Sequence, residues 1–147
     1  MAPVLMLALA ACAEPARESL LRIGSATYRV PESHIQSVNA EPHQFVRISP
    51  PDEPFDLVYD SRTKLQRDDR GWPVIFSIND RTGSNVSRYT AHDLKILCLR
   101  AVNPRGGCAM VLRVGDAEWS VLFPESQLQS ARLIRQDAID ALDGYSI

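Results

Sequence analysis

The side chains best suited to catalysis or metal binding are few, since the chain of 147 residues holds only three histidines and three cysteines. His34, His43 and His92 are far apart in sequence, and each lies in polar, turn-like surroundings. A metal site would require the fold to bring them together, so we expect solvated surface histidines instead. The sequence contains no Gly-rich phosphate loop, no G-x-S-x-G nucleophile elbow and no H-E-x-x-H pair. We therefore expect no metal, no cofactor and no catalytic centre.

Acidic pairs and serines offer little further chemistry. Asp68 and Asp69 could supply oxygen ligands to calcium, but the spaced D-x-D-x-D-G pattern is missing and the interleaved arginines would repel the ion. Ser77, Ser84 and Ser87 have no neighbouring histidine and no other activating base, so nucleophilic catalysis has no support. We expect these residues to lie on the surface without a reactive role.

The first cysteine follows a short apolar run from Val4 to Ala11. A bilayer span needs about 20 apolar residues, so this run is too short to cross a membrane and has instead the form of a secretory signal. The LAAC sequence at 9–12 resembles the lipobox of bacterial lipoproteins, which implies a diacylglycerol on Cys12 as the first residue of the mature chain. No Lys or Arg precedes Cys12, so we expect the true start upstream. An unprocessed apolar N-terminus of a cytosolic protein is the alternative.

Composition limits the remaining function classes. The chain is 45% hydrophobic and 23% charged, which is typical of a globular protein. Its net charge is −2 and no basic run is interleaved with aromatic residues, so a nucleic-acid partner is excluded. The length fits one domain. We expect a signal peptide at 1–11, a tether at 12–24 and a single globular domain at 25–147.

Alternating apolar and polar residues predict short antiparallel strands over most of the domain. The three prolines of Pro50–Pro54 cannot lie inside a sheet, so this segment should be a stiff, acidic, exposed loop. Ser61–Gly71 is crowded with charge and should be a second exposed loop. Glu32–Val38 is expected to form a turn of helix. The strands are expected at 26–30, 44–49, 55–59, 72–79, 85–90, 94–102, 108–114 and 117–123.

The apolar period changes from two to 3.6 residues after Pro124. Ser126 and Gln129 have the form of a capping box, and Gly144 is expected to stop the helix. The fold class predicted is α+β, mainly β: a single domain whose antiparallel sheet of about seven or eight short strands is followed by a long amphipathic helix. Six apolar residues fall within one arc of that helix: Leu128, Ala131, Ile134, Ala138, Ile139 and Leu142.

Cys98 and Cys108 are expected to form a disulfide across a hairpin. Both share the parity of the apolar residues on their own strand, and a register that places them opposite also sets Ile96 against Met110 and Leu94 against Leu112. Directly opposed residues lie about 4.5–5.5 Å apart at Cα, within disulfide reach. This register leaves a nine-residue loop, Leu99 to Gly107, between the two strands. A tighter turn at Pro104–Gly107 would keep the thiols apart, and that alternative stays open.

Two loose motifs extend the resemblance to a family. Tyr28–Ile35, the segment Trp119–Glu125 with its following helix, and the lipobox are similar in layout to small periplasmic lipoproteins encoded beside type VI secretion effectors. Those are immunity proteins that bind and neutralise lipases or cell-wall hydrolases. The resemblance implies tight binding to a cognate secreted toxin without catalysis. Because Ala13 and not Asp follows Cys12, it also implies an anchor in the inner leaflet of the outer membrane.

Acidic residues are the candidate contacts to such a partner, and they lie in two loops and near the helix end. Acids at a helix C-terminus are unfavourable for the helix dipole, which indicates another use. Leu133 falls opposite the apolar arc and should be exposed. A structural lipoprotein of an envelope assembly and a small envelope hydrolase are the rival functions. The candidate contacts are Asp52, Glu53, Asp56, Asp60, Asp68, Asp69, Asp137, Asp140 and Asp143.

Overall fold

The computed structural model describes residues 17–62, 86–91, 94–99 and 107–147. The signal segment, Cys12, Asp68, Asp69, His92 and the strand expected at 72–79 lie outside these ranges. Over the described residues the fold is mainly β, as predicted, with a helical segment near the C-terminus. The strands are β1 Glu18–Ile23, β2 Ala26–Pro31, β3 Ile35–Asn39, β4 Phe45–Ile48, β5 Asp56–Asp60, β6 Val86–Ala91, β7 Leu94–Leu99, β8 Gly107–Val114 and β9 Ala117–Pro124, followed by the helix α1 Ala131–Tyr145.

Seven strands form one antiparallel sheet in the order β3-β4-β5-β9-β8-β7-β6. Two meanders, β3 to β5 and β6 to β9, meet where β5 pairs with β9. The last strand of the chain therefore lies near the middle of the sheet, with Trp119 on it fully buried. The strands before and after residues 63–85, β5 and β6, are therefore separated by three other strands of the same sheet.

A second sheet consists of the hairpin β1-β2. Its turn, Gly24–Ser25, is two residues long, and Gly24 has a φ of +60°, a conformation that glycine adopts without steric cost. Leu21 and Ile23 of β1 are buried in the common core. Residues 18–23 of the segment expected as a tether therefore form the strand β1. The alternation was hard to recognise because Leu20, on the outward face, is also apolar and is 65% exposed.

The C-terminal helical segment begins as a 3-10 helix, Glu125–Ser130, and continues as α1. The predicted apolar arc is confirmed, because Ala131, Ile134, Ala138 and Leu142 are buried and Leu128 and Ile139 pack against the core. The capping box is wrong: neither helical segment has a side-chain cap hydrogen bond, and the first one follows Pro124 directly.

The predicted stop at Gly144 is also wrong. The helix continues through Tyr145, whose ring is buried, and Ser146 then bridges to Tyr28 of β2. The amide of Ile147 donates to the carbonyl of Thr27 at 3.1 Å. The end of the helix is thus determined by the attachment of the chain to β2, and Gly144 is simply exposed.

Two further expectations concern residues 32–38 and the proline loop at 50–54. Only Glu32–His34 forms a helical turn, of the 3-10 type, and the rest of the expected helix is the strand β3. That strand has exposed polar residues on both faces, so it shows no alternation. The loop at 50–54 is exposed as predicted, except that Pro50 is buried.

One face of the large sheet is covered by the hairpin and the helix, which together enclose the core. The helix α1 packs against β2 and β8, and the 3-10 helix packs against β8 and β9. Leu97 and Ala109 face the opposite side of the sheet and are also buried, so β7 and β8 are buried on both faces there. No helix in the described ranges is long and apolar enough to span a bilayer.

Candidate functional site

The disulfide lies between β7 and β8 of the large sheet. Cys98 and Cys108 are bonded, with their Cα atoms 4.0 Å apart, and both side chains are fully buried. The register opposes Cys98 to Cys108 and Ile96 to Met110, as predicted. The ladder continues one pair beyond the disulfide, to Leu99 opposite Gly107, so the expected nine-residue loop is shorter by those two residues.

An aromatic cluster connects the hairpin to the large sheet. The ring of Trp119 meets Tyr28 edge-on, with centroids 5.6 Å apart, and Tyr59 at 5.7 Å. Burial raises the pKa of Tyr28 and of Tyr59, with a further contribution from the charge of Asp116. The nearby indole of Trp119 acts in the opposite direction and lowers the pKa of Tyr28. The Nε1 atom of Trp119 nevertheless makes no hydrogen bond of good geometry to a described group. The cluster therefore has the character of packed core.

The β1-β2 turn at Gly24 and the β8-β9 turn at Gly115 meet at Asp116. Its carboxylate accepts hydrogen bonds from the backbone amide of Ser25, at 3.1 and 3.2 Å, and from the Ser25 hydroxyl at 3.1 Å. A Cβ added at Gly24 would clash with this carboxylate. The bonds join the β1-β2 turn to the β8-β9 turn across 91 residues of chain. Both turns are Gly-x pairs between alternating segments, a hairpin signal that the sequence contains, but their mutual contact has none.

The two candidate partner-binding acids on β5 form hydrogen bonds with neighbouring side chains. Asp56 accepts hydrogen bonds from the Arg47 guanidinium at 2.6 and 2.8 Å and from the Ser49 hydroxyl at 2.6 Å. Asp60 accepts from the side chain of Arg62, at 2.9 and 3.1 Å, and this interaction is the main reason that the pKa of Asp60 is lowered. These carboxylates therefore have structural roles on β5.

The other candidate partner-binding acids that the structure describes lie on the surface. Asp52 and Glu53 are exposed in the proline loop, where Asp52 has a φ of +64°. Asp140 and Asp143 are exposed along α1, and Asp137 is half-buried. Asp140 accepts a hydrogen bond from the Gln136 amide at 3.0 Å. Asp137, Asp140 and Asp143 are spaced three positions apart, so they form a row on one side of the helix. Like charges at this spacing repel each other.

One predicted surface histidine has an internal role. His34 is half-buried, and its Nδ1 lies 2.8 Å from the hydroxyl of Tyr145, with the two rings in edge contact. Burial raises the pKa of Tyr145. The expectation of a solvated side chain is therefore wrong for His34. Tyr145 is 111 residues further along the chain, and the sequence carries no local signal for so distant a contact.

No group of three or more potential ligands for a metal ion occurs in the part of the chain that the structure describes. Leu133 is 63% exposed, as its position opposite the apolar arc predicted.

Comparisons with protein families, curated proteins and solved structures find no match to this chain.

Proposed function

We propose that this protein is a periplasmic lipoprotein, anchored through Cys12, that binds and neutralises a cognate secreted effector without catalysis. The observation that carries the proposal is the buried Cys98–Cys108 disulfide. Structural disulfides form and persist in oxidising compartments such as the periplasm. A lipobox at 9–12 and a structural disulfide point to the same side of the inner membrane.

The two motifs behind the family resemblance are in contact in the structure. Tyr28 of the first motif packs edge-on against Trp119 of the second, and both rings are buried. Both residues thus belong to the hydrophobic core of this chain. We therefore expect the residues that face the effector to lie elsewhere on the surface.

Exposed acids are the best candidates for that contact. Asp52 and Glu53 on the proline loop and Asp140 and Asp143 on α1 are open to solvent. Complementary charge on a partner speeds its encounter and improves specificity more than it raises affinity. A lipase or cell-wall hydrolase with a basic surface near its active site is therefore the partner that we expect.

The test is binding to the secreted protein encoded beside this gene. Purified protein should form a one-to-one complex with it and abolish its hydrolytic activity, with an interface of about 1,600 Å². Deletion of the gene should make cells sensitive to that effector. Failure to bind any neighbouring gene product, together with stable association with several envelope subunits, would support a structural lipoprotein instead.

Lipidation is tested separately. A fatty-acid analogue should label the wild-type protein, and the Cys12→Ser variant should lose the label because the acylated thiol is missing. The Ala13→Ser variant, which keeps the thiol, is the matched control and should be labelled. Equal labelling of wild type and Cys12→Ser would contradict the anchor, while the purified Cys12→Ser protein should still bind the effector.

A further inference from the structure

The strand β3 forms one edge of the large sheet, with a register irregularity between Ile35 and Ser37 and regular pairing from Ser37 to Asn39. It pairs only with β4 among the described strands, so about half of its backbone N–H and C=O groups point away from the sheet. Its sequence, IQSVN, contains no charged residue and no proline. The four residues after Ile35 are exposed, and Val38 is 56% exposed.

The other outer strands carry the charges with which sheet edges usually avoid unwanted pairing. Arg22 lies on β1, Arg29 on β2 and Arg88 on β6. Charged side chains on an edge disfavour the addition of another strand. The lack of such a charge on β3 distinguishes this edge from the others that the structure describes.

The side chains of β3 determine which kind of strand would fit. Val38 is opposite Val46, which is fully buried, so Val38 extends the apolar face of the sheet to its edge. Ser37 and Asn39 point to the other face, opposite Arg47 and Phe45. An added strand should therefore place an apolar residue beside Val38 and polar residues on either side of it.

Charge at the two ends of β3 argues against a second copy of this chain. Glu32 precedes the strand and Glu41 follows it; both are exposed, and neither forms an ion pair with a described residue. Antiparallel self-pairing centred on Ser37 would bring Glu32 of one copy near Glu41 of the other. Like charges at this distance repel, whereas a strand with a cationic residue near each end would be attracted.

We propose that β3 takes up an extended segment of the effector by strand addition, with an uncharged centre, an apolar residue beside Val38, and Lys or Arg near both ends. The inference rests on the proposed function for the identity of the partner. Main-chain hydrogen bonds along the edge would supply affinity, and Val38, Glu32 and Glu41 would supply specificity.

The test compares two exposed positions with the purified effector encoded beside this gene. Val38→Lys should weaken binding by about tenfold or more, because the lysine protects the edge. Leu20→Lys, the matched change at an exposed leucine of the strand β1, should leave binding unchanged. Glu32→Lys with Glu41→Lys should weaken binding most at low salt. In the complex, hydrogen exchange of the β3 amides should slow.

Three results would overturn the proposal. Equal binding by wild type and Val38→Lys, with unchanged exchange at β3, would leave the effector complex intact and place its interface elsewhere. A dimer of the free protein that Val38→Lys abolishes would assign the edge to a second copy. If no neighbouring effector binds, the peptide Lys-Thr-Val-Thr-Val-Thr-Lys serves as the probe. Its binding is followed by NMR chemical shifts of the β3 amides, and unchanged shifts at millimolar peptide would exclude strand addition.

Discussion

At the scale of single residues, Gly24 and Gly115 lie in the two turns that Asp116 joins. Gly24 has a positive φ and lies against the Asp116 carboxylate that holds Ser25. Gly115 has the same φ of +60°, but a Cβ added there would meet nothing within 4 Å. The two positions thus differ only in the close approach, which makes them a matched pair.

Gly24→Ala should destabilise the fold more than Gly115→Ala. Each alanine must adopt the left-handed conformation, at about 1–2 kcal/mol, and only Gly24→Ala also displaces Asp116 and its hydrogen bonds to Ser25. Denaturant unfolding of both variants measures the difference. Adding Asp116→Ala should bring the loss caused by Gly24→Ala close to that of Gly115→Ala. Equal losses in the single variants would show that Asp116 yields without cost.

The ion pair of Asp60 predicts an acid-dependent part of the stability. The Arg62 side chain lowers the pKa of Asp60 from 3.8, so this contribution is present above about pH 4 and is lost as pH falls through the lower folded-state pKa. Asp60→Asn should cost at most about 1 kcal/mol near neutral pH, because Arg62 is exposed. Stability measured from pH 7 to pH 2 should show the variant and wild type converge. Asp52→Asn, at an exposed carboxylate, should change little throughout.

Among the elements, the strands β7 and β8 are cross-linked by the disulfide. The bond closes a short loop, which stabilises the fold by roughly 2–3 kcal/mol through the unfolded state. The double variant Cys98→Ala/Cys108→Ala should therefore have a melting temperature several degrees lower. Because both sulfurs are buried, the native protein should resist reduction and alkylation until denaturant is added. Rapid alkylation of the reductant-treated native protein would contradict this burial.

The helix α1 is fixed at its end by Tyr145. Tyr145→Phe keeps the buried ring and removes the hydrogen bond to His34, so it should cost about 0.5–1.5 kcal/mol. In a His34→Ala background the same change should cost less. Leu133→Ala, on the exposed side of the same helix, should change stability by less than about 0.5 kcal/mol. If Tyr145→Phe has the same effect with and without His34, the two side chains are not coupled.

The whole molecule shows which features local patterns can predict. Strands with a clear apolar face, such as β5 and β9, and the apolar arc of α1 were predicted because their burial follows the period of the element. The disulfide register followed from the parity of Cys98 and Cys108. The edge strand β3 and the first strand β1 were missed because exposed residues on β3 and the outward Leu20 on β1 conceal the alternation.

Features that depend on distant segments had no local signal. The pairing of β5 with β9 joins parts of the chain about 60 residues apart, and nothing near Leu57 indicates that Val121 will lie opposite it. The contact of Asp116 with Ser25 and that of Tyr145 with His34 also arise only after the sheets assemble. The exposed candidate acids could be named from the sequence, but the internal bonds of Asp56 and Asp60 could not.

The central position of β9 also determines when the fold can form during synthesis. The chain emerges from its N-terminus, so β3, β4 and β5 are available long before the strand that must pair with β5. Until β9 arrives, β5 presents Leu57 and Tyr59 on an open edge, and contacts so distant in sequence form slowly. A newly made chain must therefore be kept from aggregating until β9 has been synthesised and can pair with β5.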